Sequence, residues 1–151
     1  MSRGRAIAVT GVGAAVAAAA LNAVVAALAR VAGVDLEVTG GEAIPVSGIA
    51  FVTVVLSVVG VLIAAALSRW SAEPVRWWIR TTVALTALSL VPPFLAAADA
   101  ATAATLVVLH LLAAAVVVPV VARTLPDPGL SAPGAGGVRT PPPATIRGSS
   151  R

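Results

Sequence analysis

Four long apolar runs, at residues 6–29, 44–67, 79–98 and 100–122, constrain this chain more than anything else in it. Each is close to or longer than the ~20 apolar residues that cross the hydrocarbon core of a bilayer. In lipid every backbone polar group must be paired within the segment, so such a run spans as a helix. The expected fold is therefore an all-α membrane protein: a four-transmembrane-helix bundle over residues 1–123, then a Pro/Gly-rich tail over 124–151. Composition excludes a soluble alternative. With 59% hydrophobic and 11% charged residues, against roughly 25% charged in a soluble domain, too little polar surface exists to clothe a globule.

The first run follows a short basic start, Arg3 and Arg5, and is longer than the ~7–15 apolar residues of a signal-peptide core, although Ala27-Leu28-Ala29 resembles a cleavage site. It reads as the first spanning helix, with a cleaved leader as the alternative. The second run opens on Pro45, harmless in a first helical turn. Glu73-Pro74 marks the approach to the third, whose last turns should be kinked or broken by Pro92 and Pro93. Pro119 should bend the end of the fourth. Between the first two spans, Val34 to Val38 alternates apolar and acidic residues before Thr39-Gly40-Gly41, the pattern of a short extended segment and a turn. The tail, with Pro141-Pro142-Pro143, has too little bulky apolar content to fold and reads as disordered.

Orientation follows from arginine. An even number of spans puts both termini on one side, and that side carries nine of the ten Arg residues, leaving only Arg30 opposite. The positive-inside rule makes it the cytoplasmic side. Trp70, Trp77 and Trp78 fall at the cytoplasmic interface, where indoles anchor. Four of the six acids, Asp35, Glu37, Glu42 and Asp99, fall on the other side. The all-Arg basic set, together with abundant Ala, Val, Gly and Pro, reads as high-GC bacterial coding, and the expected location is the bacterial plasma membrane.

Several activities are excluded by absence. Without cysteine there is no disulfide, thiolate metal site or thiol redox relay. A single His and a single Met preclude bis-His or His/Met haem ligation within one chain. The pI near 11.6 does not indicate nucleic acid, because the Arg residues sit at helix ends and in the tail rather than on one basic face. Gly11-Val12-Gly13 lies inside an apolar run without the strand and later glycine of a dinucleotide loop, and the chain has no Lys for a phosphate loop. No cofactor or metal is expected, and the chain reads as not an enzyme.

Helical spacing assembles small and polar residues into stripes: Gly11, Ala15, Ala18, Asn22, Ala26 and Ala29 in the first span, and Ala50, Thr53, Ser57, Gly60, Ala64 and Ser68 in the second. Thr82, Thr86, Ser89 and Pro93 continue the pattern in the third. Such faces let helices approach closely in lipid and bond across the interface. In the fourth, one side carries Asp99, Ala103, Leu106, His110, Ala113, Ala114 and Val117. Asp99 and His110 share a face but stand roughly 16 Å apart along the axis. Two readings of the intramembrane polar set His110, Asn22 and Asp99 stay open. Ionisable groups within a membrane are functional candidates, which would make His110 a proton acceptor in a polar path. Alternatively His110 bonds Asn22, a Thr or a Ser as packing, while Asp99 caps the fourth helix.

The basic start, the stretch Gly33-Val34-Asp35-Leu36-Glu37-Val38, Leu109-His110-Leu111, and the ending from Val118-Pro119 to Arg123-Thr124-Leu125-Pro126 together resemble a family of small four-helix membrane proteins of unknown function from high-GC Gram-positive bacteria. The resemblance covers most of residues 5–126 and implies fold and membrane location without an activity. The expected role is structural or regulatory, through helix packing in the lipid bilayer, as a homo-oligomer or with a membrane partner subunit. A small oligomeric transporter or channel component using His110 in a proton-sensitive path is the alternative.

Overall fold

The computed structural model describes residues 3–126. The tail beyond Pro126, including Arg139, Arg147, Arg151 and the Pro141–Pro143 run, lies outside the described residues. Four helical segments, Gly4–Val31, Val46–Trp70, Pro74–Ala96 and Ala100–Ala122, are long and apolar enough to cross a membrane.

Helix α1 (Arg3–Val31) ends where Gly33, at φ +89°, lets the chain turn away, with the Val34 N–H donating to the Ala29 carbonyl. The segment read as extended forms a small antiparallel hairpin, β1 (Glu37–Val38) and β2 (Glu42–Ala43), closed over Gly40 and Gly41. Both glycines have positive φ, +123° and +81°, as so tight a turn demands. Val38 also pairs with Ala97, and the Ala98 N–H donates to the Glu37 carbonyl at 2.9 Å. The hairpin is thereby fastened across the end of the bundle.

Helix α2 (Val46–Trp70) begins after Pro45, so Ile44, counted in the apolar run, belongs to the hairpin's exit. The third span is two helices, α3 (Pro74–Ser89) and α4 (Val91–Ala96), separated at Leu90. Pro92 and Pro93 lack the N–H groups that would continue the ladder, and the chain breaks just before them. Ala97 and Ala98, expected within this span, leave the helix to meet the hairpin. Helix α5 (Ala100–Ala122) carries Pro119 in its last turn. The chain then stays packed to Leu125, two residues past the expected edge of the bundle, because that side chain buries against the core.

Helix α1 sits between α2 and α5. Its expected stripe is the one that packs: Gly11, Ala15, Ala18, Asn22 and Ala26 are all buried, and Ala29 at its end is partly so. A Cβ on Gly11 would collide with the side chain of Val61, so glycine sets how closely α1 and α2 approach. One core cluster, around Ile7, Ala18, Val61, Trp78 and Val121, fills the end holding the α2–α3 turn. A second, of Ala26, Leu36, Ile49 and Leu109, fills the hairpin end. Leu36 enters it with a fully buried side chain and a left-handed backbone, φ +55°, which a bulky residue adopts at a cost of order 1–3 kcal/mol.

One expectation about side-chain direction is corrected. Trp70 is 80% exposed, and Trp77 is exposed under the Arg80 guanidinium, but Trp78 is 1% exposed and belongs to the core. Because α3 starts at Pro74, residues 74, 78 and 82 fall one turn apart on its single buried edge. On α5 the expected side is the inward one: Val117 is buried, Leu106 and Ala113 pack against the core clusters, and the buried Thr102 and Leu109 flank them.

Candidate functional site

Between α2, α3 and α5 lies a cleft of about 670 Å³, with Asn22 of α1 and Pro92 of α4 contributing to its wall. Its rim includes Val52 and Leu56 of α2 and Leu85 and Leu88 of α3, all exposed, so it opens sideways between those two helices. Trp78 closes the end nearest the α2–α3 turn and holds α3 against α5 by donating its indole N–H to the Val118 carbonyl at 3.0 Å.

Asn22 is 3% exposed on the cleft wall. Its Nδ2 donates to Thr53 Oγ1 at 3.1 Å, and the Thr53 hydroxyl donates its one proton to the Ile49 carbonyl at 2.8 Å. Those two bonds fix the amide orientation, because Thr53 has no proton left for an Asn22 oxygen. Asn22 Oδ1 is consequently buried without a partner among the described residues. An unmet buried acceptor costs roughly 1–3 kcal/mol, less if a passing donor reaches it.

His110 is half-buried, ten residues into α5, at a depth of about 15 Å by helical rise. Its Nδ1 lies 2.8 Å from the Leu106 carbonyl. A carbonyl can only accept, so Nδ1 carries a proton and donates it to Leu106. The expected bond from His110 to Asn22, Thr or Ser is replaced by this contact within its own helix. Asn22 and His110 nevertheless line the same cleft.

Asp99 stands apart from them. It caps α5, accepting from the Ala101 and Thr102 backbone N–H groups at 2.7 and 2.9 Å and from the Thr102 hydroxyl at 2.8 Å. These bonds, the Thr102 pair foremost, hold its carboxyl below the ordinary value of 3.8. It lines a separate shallow depression with Phe94 and Ala103. The three polar candidates thus resolve into a pair and an isolated cap.

Three further stripe hydroxyls do not cross helix interfaces as expected. Thr82 donates to the Trp78 carbonyl, Ser89 to Thr86 and Ser68 to Ala65, each within its own helix. In an apolar medium the nearest free lone pair is one turn back, and the side chain takes it. The Asn22–Thr53 pair and the Trp78–Val118 bond were therefore not legible from the stripes alone. Among the described residues no three His, Cys, Asp or Glu side chains gather as metal ligands.

Against known proteins, the chain belongs to DUF6069, a family of unknown function whose family model matches residues 2–127. No curated protein and no solved structure matches it.

Proposed function

We propose that this member of a family of unknown function is a non-enzymatic multi-pass protein of the bacterial plasma membrane with both termini cytoplasmic. Its role is structural or regulatory, exercised by its α3–α4 side against a second copy or a membrane partner subunit. One observation carries this reading: the third span is the barest of the four, buried only along Pro74, Trp78, Thr82 and Pro93, while α1 is clasped between two neighbours. Lipid supplies no hydrophobic drive to close that side, so packing against another helix is what it has to gain. The one-sided arginine distribution supports the orientation.

The absence of cysteine makes the test direct. Val83→Cys places a thiol on the exposed face of α3, and Val16→Cys places one on the exposed face of α1 as a control. Oxidation in native membranes should dimerise the first and spare the second, or purification in mild detergent should retain a stoichiometric partner. A monomer that neither crosslinks through Val83→Cys nor brings a partner with it overturns the reading.

The shared cleft of Asn22 and His110 favours a second reading, a small oligomeric transporter or channel component with His110 in a proton-sensitive path. Reconstituted flux decides it: pH-dependent flux that survives His110→Ala defeats that mechanism.

A further inference from the structure

We infer that the lateral cleft between α2, α3 and α5 binds a neutral, largely apolar molecule bearing a hydroxyl, of the long-chain or terpenoid alcohol class, with that hydroxyl donated to Asn22 Oδ1. The inference stands apart from any partner on the α3 face.

The chemistry of the wall selects this class. Among the described residues no Arg, Asp or Glu lines the cleft, so none of them would hold a phosphate headgroup or a free ion there. Its volume, about 670 Å³, lies within the ~300–1,000 Å³ range of small-molecule sites. Along α2 the lining runs from Gly48 to Gly60, a rise of about 18 Å, so the space is elongated and suits a chain rather than a compact solute.

Donors and acceptors then fix the polar end of the ligand. The Trp78 indole N–H is spent on Val118, and the Thr53, Thr82 and Ser89 hydroxyl protons are spent on carbonyls of their own helices. The Ser57 and Thr86 hydroxyls can donate or accept, but Asn22 Oδ1, buried with no partner among the described residues, can only accept. An unmet acceptor is satisfied only by an incoming donor. An alcohol supplies one without bringing a charge into a low-dielectric site, whereas an ether or hydrocarbon of the same shape leaves Asn22 Oδ1 unmet.

The test uses the full-length protein in lipid nanodiscs, with tritiated farnesol as tracer and two competitors of nearly equal apolar body, farnesol and farnesyl methyl ether. Farnesol should bind saturably and about tenfold more tightly than the ether. In Asn22→Leu the two should converge to within about twofold, while the affinity for the ether is kept. Equal affinities in the native protein overturn the assignment, and that comparison is decisive even if the variant does not fold. Preserved discrimination in a folded Asn22→Leu overturns it too, as does a lack of saturable farnesol binding, the result a cleft filled by phospholipid chains or by another helix would give.

Discussion

The two sides of this bundle are built from similar small residues and behave in opposite ways. On the α1 side, Gly and Ala bring backbones together: Gly11 admits Val61, and Ala14 and Ala18 lie in the same cluster as Val117 and Val121. On the α3 side the small residues are Thr and Ser, and their hydroxyls turn back on the carbonyls of their own helix. A hydroxyl bonded to its own helix has spent its one proton and can join a neighbour only by accepting, as Thr53 does from Asn22. A small residue with nothing to bond brings helices together, whereas a hydroxyl that donates to its own helix does so only where the neighbour brings a donor.

If that contrast is right, the loose side hangs on one large side chain. Trp78→Ala should remove both the buried indole and its bond to Val118, lowering stability by about 3–5 kcal/mol in micelle unfolding and releasing α3. A loss below about 1 kcal/mol would mean that α3 is held by something other than Trp78. On the tight side, Gly11→Val should cost about 1–3 kcal/mol by forcing α1 away from Val61. A neutral outcome would remove close approach as the distinguishing feature.

Asn22→Leu sharpens the comparison at the boundary between the sides. It deletes one interhelical bond and one unmet acceptor together, so unfolding should shift by less than about 1 kcal/mol in either direction. The smallest effect belongs to Asp99. Its carboxyl titrates below its ordinary value of 3.8 in the folded chain, so its contribution is present above the unfolded value and is lost as pH falls through the folded one. Unfolding curves for the native chain and Asp99→Asn should run parallel above about pH 5, with the native curve alone losing the increment due to this group below pH 3.8.

What the sequence made legible follows the same physics. Apolar run length located the spans, paired prolines located the break at Leu90, and an Asp before an apolar run located the cap of α5. Glycines after alternating residues located the turn of the hairpin. Direction was harder. Helix α5 is apolar on every side, so periodicity could not say that Leu109, outside the Asp99–Val117 stripe, is buried as well. Trp78 looked like its neighbours Trp70 and Trp77, and only the helix start at Pro74 distinguishes it. The Asn22–Thr53 pair joins two stripes correctly identified, but which hydroxyl meets the amide depends on the relative height of two helices, which no single-chain pattern encodes. The left-handed Leu36 left no mark at all, since nothing in the residue type asks for that backbone.

The pairing of Val38 with Ala97 carries an implication for how the molecule is assembled. The two residues sit at the same end of the bundle, but the chain between them runs the full length of α2 and returns through α3 and α4. No emerging chain can make that bridge until both of those passages are complete. The strap therefore closes only after α4 has emerged, and a chain truncated before Ala97 would show its hairpin unfastened, with the Thr39 N–H and the Glu37 carbonyl still open.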